Sequence, residues 1–352
     1  PLLAVPDPGF AHTPLHKVGF TPVYEPENLR SKLGLKQLFI KDESPNPSAS
    51  FKDRASALLV AQAIRRDIPT IIAASTGNAG AAMACMAASV GKQAIILAPR
   101  SAPEAKVAQL LTYGAKVILV NESYDDAFDL SIAASKKFGW YNRNTGYNPF
   151  TVEGKKTAGL EIWEQVLRNL PAGQDLNVFI PVGDGNILSG VAKGFVDLLS
   201  LGWIEKLPRL IGVQAEGSAA IANAFFNQAK KIEPVKARTI ADSISVDLPR
   251  DGARALSRVR QSGGFFVTVS DQEILSAIPE LGSAGLFVEP ATAAAYAGLQ
   301  KALEKNLIDP AVPALVLATG SGLKDIKTVM RAVEPAPIIE PELKSLKEVL
   351  GV

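Results

Sequence analysis

The sequence predicts an α/β fold of two doubly wound domains, each with a mostly parallel sheet flanked by helices. From residue 37 to residue 139, short apolar runs alternate with helical patterns of about 10–15 residues. After a polar segment rich in asparagine and glycine, the alternation resumes and ends in ALVLATGSG. Strands that alternate with helices pair in parallel, because each helix crosses the sheet to return the chain.

The first alternation predicts four strands and four helices. The predicted strands are KQLFIKDE, TIIAAS, KQAIILAP and AKVILVN. The helices that follow them are DRASALLVAQAIRRD, NAGAAMACMAASVG, APEAKVAQLLTYG and SYDDAFDLSIAASKKFG. Gly91 is the stop signal of the second helix, since glycine commonly follows a helix end.

The segment YNRNTGYNPFTVEGKKTAG is predicted to be a long loop between the two units. Beyond it we predict helices in EGKKTAGLEIWEQVL and GNILSGVAKGFVDLLS, and strands in NVFIPVG, PRLIGVQAEG and ALVLATGSG. We therefore expect a smaller, mobile α/β domain over residues 46–149 and a larger one built from residues 1–45 and 150–352. The last segment, VEPAPIIEPELKSLKEVL, is expected to run over the surface.

Composition narrows the class of protein. Among 352 residues, 37 Lys and Arg nearly balance 35 Asp and Glu, so the net charge is only +2. This balance argues against nucleic acid or an anionic membrane as the main partner. The first residues lack the pattern of a signal peptide, and no window approaches 18 uninterrupted apolar residues. We expect a cytoplasmic protein.

Cysteine and histidine usage argues against disulfides and metals. The one cysteine, Cys85, cannot form an internal disulfide and indicates a reducing compartment. It lies in the small-residue helix AAMACMAASVG, where a buried packing role is expected. His12 and His16 have no cysteine or HExxH pattern nearby, so no metal site is predicted.

Lys52 is the first candidate for chemistry. The segment SPNPSASFKDRAS places it after a loop of small residues, at the start of a predicted helix. The positive helix N-terminus, together with burial, would lower the pKa of the amine, and Schiff-base chemistry requires a neutral amine. Taken alone, the segment is equally compatible with a solvated lysine beside a capping Asp53.

Three further segments place glycines and small polar residues directly after a predicted strand. They are ASTGNAG (residues 74–80), PVGDGNILSG (181–190) and LATGSGLKD (317–325). Turns between a strand end and a helix N-terminus bind anions. The second segment is neither a Walker loop nor a GxGxxG fingerprint. Simple helix caps and tight turns remain the alternatives for each, but together with Lys52 they predict one shared cleft.

One ligand would use all four segments. Pyridoxal phosphate needs an amine for its aldehyde, amides for its phosphate, a donor for its ring hydroxyl and a partner for its ring nitrogen. Lys52 meets the first need, residues 183–187 the second, Asn78 the third and Thr319 the fourth.

The same segments resemble those of the fold-type II pyridoxal-phosphate enzymes, the tryptophan synthase β superfamily. KDESPNPSASFKDRA resembles the lysine segment of these enzymes, STGNAG their substrate-carboxylate loop, NPFTVEGKKTAGLEI their domain-crossing segment and GLFVEPATAA a late helix start. Within the superfamily, ATGSGLKD is similar to the threonine synthase family, because related dehydratases usually carry serine or cysteine in another glycine context.

The resemblance implies a lyase of amino-acid biosynthesis that holds pyridoxal phosphate in its larger domain. Lys52 would bind the cofactor as a Schiff base and shuttle protons, and Asn78 would bond the ring hydroxyl. Thr319 would face the ring nitrogen and, as a neutral hydroxyl, would not enforce its protonation. The phosphate cradle would be formed by Gly183, Asp184, Gly185, Asn186 and Ile187. The substrate carboxylate would be held by Ser75, Thr76 and Ala79.

The implied reaction converts O-phosphohomoserine and water to L-threonine and phosphate in a homodimeric enzyme. The substrate phosphate would be bound by residues of the polar segment between the domains, namely Arg143, Asn144, Asn148 and Lys155. Each of these is alternatively a loop residue that bonds its own backbone. Thr151 stands where some relatives carry a basic residue.

Three other functions stay open at this point. One is a cysteate-synthase-like β-replacement enzyme that acts on O-phosphoserine, and another is a serine/threonine dehydratase. The third is a non-catalytic protein that binds a small molecule, which would have no need for a buried amine.

Overall fold

The computed structural model describes residues 7–75, 77–100, 102, 104–121, 124–171 and 173–352. These residues form two sheets with helices on both faces. The strands are β1 (Val23–Tyr24), β2 (Leu38–Asp42), β3 (Thr70–Ala74), β4 (Gln93–Pro99), β5 (Lys116–Val120), β6 (Tyr141–Asn142), β7 (Asn177–Pro181), β8 (Arg209–Ala215), β9 (Phe265–Val269) and β10 (Ala314–Ala318).

The α-helices connect these strands as crossovers. They are α1 (Glu27–Lys32), α2 (Lys52–Arg65), α3 (Asn78–Ala88), α4 (Glu104–Thr112), α5 (Tyr124–Phe138), α6 (Phe150–Gln165), α7 (Asn186–Ser200), α8 (Ala220–Phe226), α9 (Gly252–Gln261), α10 (Asp271–Ser283), α11 (Pro290–Glu304), α12 (Ile326–Val329) and α13 (Leu343–Leu350). No helix of the described residues is long and apolar enough to span a membrane.

Both sheets are parallel except at one edge. The smaller sheet has the order β5-β4-β3-β6, and all of its pairs are parallel. The larger sheet has the order β1-β2-β10-β7-β8-β9, in which only β1 runs antiparallel to its neighbour. The predicted α/β class with mostly parallel sheets is confirmed. The boundaries of the two domains at residues 45/46 and 149/150 stay a prediction.

Strand side chains of the larger sheet alternate between two buried cores. Phe179 and Val316 pack on one face, against α11. Val178 and Leu315 pack on the other face, against α7. Because both faces are covered, strands such as β10 are apolar at every position, which is the pattern of a buried parallel sheet.

Two of the predicted elements need correction. The segment predicted as one long loop contains the short strand β6 and then α6, which begins at Phe150. Helix α6 therefore starts three residues before the predicted helix, which began at Glu153. The C-terminal segment is exposed as predicted and includes α13, none of whose residues is buried. Because α6 spans Phe150–Gln165, Lys155 lies on a helix and not on a loop.

A buried ion network holds α2 against β2 and α6. The guanidinium of Arg54 donates to Glu43 Oε2 at 2.6 Å and to Glu161 Oε1 at 2.7 Å. Lys41 Nζ donates to Glu161 Oε2 at 2.6 Å. Two buried cations thus meet two buried carboxylates, which satisfies charges that would otherwise be costly away from water. The network fixes the first turn of α2, because Arg54 lies two residues after Lys52.

Candidate active site

Lys52 reaches the centre of the molecule because the chain before it pairs with the end of β10. Ser50 forms a β-bridge with Gly320, and the Phe51 amide donates to the Thr319 carbonyl at 2.8 Å. Lys52 is the first residue of α2, and its side chain is half-buried. Among the described residues, no hydrogen bond engages its amine. The sequence prediction of a lysine at a helix start is confirmed.

The surroundings of Lys52 lower the pKa of its amine. Burial lowers its pKa below the ordinary value, and the positive charge of Arg143 lowers it further, against the opposing carboxylates of Glu289 and Asp184. The net shift increases the fraction of neutral amine at a given pH. A neutral, unengaged amine is suited to attack an aldehyde and to accept a proton.

A cavity of about 360 Å³ opens beside Lys52, at the carboxyl ends of β3, β7 and β10. Ligands bind at this edge of parallel sheets, since helix N-termini and strand-end turns meet there. The predicted site residues that line the cavity are Lys52, Ser75, Asn78, Ala79, Arg143, Lys155, Gly183, Asp184, Gly185, Asn186, Ile187 and Thr319. The tertiary structure thus brings together residues that lie more than 260 positions apart in the chain.

Three predicted residues are not among them. Asn144 bridges two elements, because it accepts from the Ala74 amide at 2.8 Å and donates to Ser131. Asn148 donates to the Asn142 carbonyl and accepts from the Phe150 amide, beside the start of α6. Asn148 matches the alternative of a loop residue that bonds its own backbone, whereas Asn144 bonds the distant backbone of β3 and the side chain of Ser131. Thr76 lies outside the described residues.

The turn between β7 and α7 requires its glycines. Gly185 has φ +88°, and a Cβ on it would lie 2.7 Å from the Ala255 Cβ. A Cβ on Gly183 would lie 3.0 Å from the Ile244 Cα. The turn opens the 15-residue helix α7, whose first N–H groups have no helical carbonyl to bond. N–H groups in this position suit an anion such as a phosphate, and we call this turn the cradle.

Asp184 lies within this cradle, and its carboxylate is bonded to the backbone. Its carboxylate accepts from the Arg250 backbone amide at 3.1 Å. Burial raises the pKa of Asp184, and the nearby charges of Lys52 and Lys155 oppose that shift. The acid therefore holds the segment around residue 250 against the turn.

The Ser75 side chain bonds the start of α3, whose N-cap residue is Gly77. Its hydroxyl accepts from the amides of Gly77 at 3.3 Å and Gly80 at 3.0 Å. The amides of Asn78 and Ala79, in the first turn of α3, bond to none of the described residues, and both residues line the cavity. Ser75 thus shapes the loop before α3.

Arg143 and Lys155 are cations buried at the cavity wall. Arg143 donates to Thr145 Oγ1 at 3.1 Å and weakly to Ser56 Oγ at 3.4 Å, but its buried Nη2 has no hydrogen-bond partner. Burial lowers its pKa to about 10. Lys155 donates to Asn186 Oδ1 in the cradle, and Asn186 in turn donates to Asp251 at 2.9 Å.

The pKa of Lys155 lies well below its ordinary value, first because of burial and then because of the charges of Lys52 and Arg143. Among the described residues, neither Lys155 nor Arg143 forms an ion pair with a carboxylate. A buried guanidinium that is not bonded to a carboxylate is costly, and an anion bound beside Arg143 would offset that cost.

Glu289 is a cavity residue that the sequence does not single out. It immediately precedes α11, and its two carboxylate oxygens accept from Thr319 Oγ1 at 2.6 Å and from Asn78 Nδ2 at 2.7 Å. The segment GLFVEPATAA contains it, but only its role as a helix start is readable locally. Tyr124 and Arg250 also line the cavity and have no local signal that marks them.

The cavity fits pyridoxal phosphate in its donor set. It offers one amine without a partner, a glycine turn with amides at a helix N-terminus, and side chains of Asn78 and Thr319 that face the same space. A family model described as "Pyridoxal-phosphate dependent enzyme" matches residues 15–320. The chain belongs to this family. The predicted cofactor is confirmed, and the enzyme is pyridoxal-phosphate-dependent.

Curated relatives of the enzyme carry the name threonine synthase. The protein of Methanocaldococcus jannaschii is 39% identical over 94% of this chain and 82% of its own length. That of Methanosarcina acetivorans is 36% identical over the same shares. That of Mycobacterium tuberculosis is 34% identical over 91% of this chain and 87% of the relative. The enzyme is therefore a lyase of the threonine synthase type.

Solved structures confirm the fold-type II class. Processed threonine deaminase isoform 2 from Solanum lycopersicum superposes with a TM-score of 0.77 at 24% identity, covering 94% of this chain and 92% of that one. Maize serine racemase superposes with a TM-score of 0.74 at 23% identity, covering 92% and 94%. At these identities the likeness concerns the fold alone.

Proposed function

We propose that this enzyme is a threonine synthase that converts O-phosphohomoserine and water to L-threonine and phosphate. The observation that carries the proposal is the pair of buried basic side chains, Arg143 and Lys155, in the same cavity as Lys52. The three curated relatives described above, each named threonine synthase, support it independently.

Two anion sites in one cavity favour a substrate that carries its own phosphate. The cradle at the start of α7 suits the cofactor phosphate, and the unpaired Nη2 of Arg143 is free for a second anion. A guanidinium binds phosphate through charge-assisted hydrogen bonds, which are stronger than neutral ones. A dehydratase acting on serine or threonine, whose leaving group is a hydroxyl, would not need this second cation.

In the proposed mechanism, the first turn of α3 binds the substrate carboxylate through the amides of Asn78 and Ala79, while Ser75 keeps the loop in shape. Lys52 accepts the proton from Cα, since its lowered pKa leaves a usable fraction of neutral amine. Pyridoxal phosphate, when bound, supplies the electron sink that stabilises the resulting negative charge.

The leaving phosphate would be received by Arg143 and Lys155. Both side chains are already buried and desolvated, so little reorganisation accompanies the charge that develops on the leaving group. Loss of the phosphate also requires removal of a Cβ proton. As the hydroxyl of water adds at Cβ, one proton is delivered to Cγ and Lys52 returns one to Cα. Arg143 and Lys155 thus act on the γ-phosphate, while Lys52 acts at the carbon atoms.

We further propose that the protein is a cytoplasmic homodimer whose smaller unit, residues 46–149, moves against the rest. Its one cysteine is free and buried, which suits a reducing compartment. Two exposed ion pairs, Lys106 with Asp242 and Arg250 with Asp125, link the two sheet units at the mouth of the cavity.

The reaction can be tested with purified enzyme and three substrates. O-phosphohomoserine should yield equal amounts of threonine and phosphate, O-phosphoserine with sulfite should yield no cysteate, and threonine alone should yield no keto acid. Cysteate formation would favour the β-replacement alternative. That alternative is worth testing because Thr151 stands where some relatives carry a basic residue. In this enzyme Thr151 bonds the Asn148 carbonyl and does not line the cavity. Deamination without phosphate release would contradict the proposal.

Substitution of the lysine tests the assigned chemistry. Lys52→Ala should lower kcat by on the order of 10²–10⁴-fold, because the positioned proton carrier is lost. Borohydride reduction followed by mass spectrometry should label Lys52 in the parent enzyme. The exposed Lys305→Ala serves as a matched control and should retain full activity. A label on any other lysine would overturn the assignment.

A further inference from the structure

Tyr124 is a residue of the cavity wall whose hydroxyl the proposed mechanism does not use. It is the first residue of α5 and lies at the mouth of the cavity. Although 41% of the residue is exposed, burial raises the pKa of its hydroxyl, so the hydroxyl is at the buried end of the side chain. Among the described residues, no side-chain hydrogen bond engages this hydroxyl.

The ring of Tyr124 is held by a neighbour on its own helix. Its centroid lies 6.2 Å from that of Phe128, which is one helical turn further along α5. Phe128 is only 5% exposed, and the Arg250 guanidinium lies 4.7 Å over its other ring contacts while pairing with Asp125. The ring of Tyr124 thus packs on a buried ring, which limits the directions that its hydroxyl can take.

Arg143 is a neighbour of this hydroxyl in the cavity. After burial, Tyr124 is the group that acts most strongly on the pKa of Arg143. Burial raises the pKa of Tyr124, the charge of Asp184 raises it further, and the charges of Arg143 and Arg250 oppose the shift. The raised pKa keeps the hydroxyl protonated at neutral pH. It is therefore a neutral donor beside the guanidinium and cannot act as its counterion.

We propose that Tyr124 is a specificity-determining residue whose hydroxyl donates a hydrogen bond to the distal phosphate of the substrate, beside Arg143. This rests on the proposed function, which places the γ-phosphate at Arg143. A phosphate ester has three terminal oxygens, and the one unbonded nitrogen of Arg143 supplies only part of the donors that they accept. A hydroxyl adds a donor without adding another buried charge.

The proposal is tested by the binding of two amino acids that lack a leaving group to the enzyme loaded with pyridoxal phosphate. The first, 2-amino-5-phosphonopentanoate, carries a distal phosphonate, and the second, norvaline, has the same carbon chain without it. The change in cofactor absorption during titration gives both affinities without turnover.

Tyr124→Phe should weaken phosphonate binding about 10- to 100-fold, because a hydrogen bond to a charged group is lost, and should leave norvaline binding unchanged. Tyr24→Phe is the matched control. It removes a hydroxyl from a residue of β1 that is 43% exposed, and it should change neither affinity. Tyr124→Phe keeps the ring that contacts Phe128, and a melting curve checks that its fold is retained. Tyr124→Leu, a second variant, should show the same selective loss.

The two proposals fail in distinguishable ways. Phosphonate binding that is as tight in Tyr124→Phe as in the parent would overturn the role of Tyr124, and so would an equal loss for norvaline. In both cases threonine formation by the parent enzyme leaves the function standing. The expected selective loss in an enzyme that forms no threonine would support the role of Tyr124 and overturn the function alone. A parent enzyme that binds the two amino acids equally and forms no threonine would overturn both proposals.

Discussion

Arg143 and Lys155 define the charge of the cavity at the scale of single residues. Each is fully buried, and burial lowers the pKa of each. Such an arrangement is unfavourable in the empty protein and becomes favourable when an anion binds, so part of the stability of the fold is given up for affinity. The two side chains differ in their hydrogen-bond partners. Lys155 has a partner in Asn186, whereas Arg143 leaves one guanidinium nitrogen unbonded.

Arg143→Gln should raise KM for O-phosphohomoserine about 10- to 100-fold, because a charge-assisted hydrogen bond contributes about 1.5–3 kcal/mol. Thermal stability should change little, since the substitution also removes an uncompensated buried charge. Steady-state kinetics and a melting curve measure the two effects. Exposed Arg65→Gln is the control. A lower melting temperature with unchanged KM would identify Arg143 as a structural residue.

At the scale of elements, the site depends on how helices begin. α2, α3 and α7 each start at the cavity, and each is preceded by a turn whose backbone is fixed by a specific contact. For α7 that contact is the left-handed Gly185 packed against Ala255. For α2 it is the bridge between Ser50 and Gly320, reinforced by the Arg54 network.

Gly185→Ala should destabilise the enzyme by about 1–3 kcal/mol and weaken cofactor binding, because it adds both backbone strain and a clash. Gly202→Ala, at the other end of α7, separates the two causes. Gly202 has φ +73° with open space where its Cβ would lie, so only strain should appear. Denaturant unfolding and cofactor titration test this. Equal effects of the two substitutions would show that the close contact at Gly185 contributes nothing.

The buried network around Arg54 predicts acid sensitivity. Although burial raises it, the hydrogen bonds and charge of Arg54 hold the pKa of Glu161 at about 2, against an ordinary 4.5. Burial lowers the pKa of Lys41 despite Glu161, so Arg54 is the dominant partner. A carboxyl group whose pKa is lower in the folded than in the unfolded state stabilises the fold at pH values above its unfolded-state pKa. This contribution is lost as the pH falls toward the folded-state pKa.

The free energy of unfolding should therefore decrease by about 3 kcal/mol from this group as the pH falls from 4.5 to 2. Glu161→Gln should be less stable than the parent by about 3–5 kcal/mol at pH 7, since it leaves buried cations unpaired. The difference between the two proteins should narrow toward pH 2. Urea unfolding across this pH range measures it, and a constant difference would contradict the assignment.

At the scale of the whole molecule, the cavity lies between two sheet units that touch through few strong contacts at its mouth. Arg250 pairs with Asp125 on α5 and lies 4.7 Å over the Phe128 ring. Lys106 on α4 pairs with Asp242. These side chains are partly exposed, so each pair contributes modestly to stability and is weakened by salt.

Arg250→Gln should change the free energy of unfolding by less than about 1 kcal/mol and still raise KM, because it loosens the mouth of the cavity. Hydrogen exchange at residues 124–128 should become faster, and added salt should produce part of the same effect in the parent enzyme. Arg258→Gln on the surface of α9 is the control. Unchanged exchange at α5 would contradict a role in closing the mouth.

Local patterns were sufficient for Lys52 and for the turn at residues 183–187, because each lies in one short segment with its own conformational requirement. They were insufficient for Glu289, whose contact to Asn78 joins positions 211 residues apart. They also could not separate Lys155 from Asn148. Both are polar residues of one segment, and only the start of α6 turns one to the cavity and the other to the backbone.

The sequence by itself determined the alternation of strand, turn and helix, and with it the parallel sheets and a cleft at their carboxyl ends. These follow from backbone periodicity and glycine geometry, which act over a few residues. The tertiary structure decided which polar side chains lose water in that cleft and which partners they meet. That outcome depends on the packing of distant segments, and for Arg143 and Glu289 it sets the charge that the cofactor and the substrate encounter.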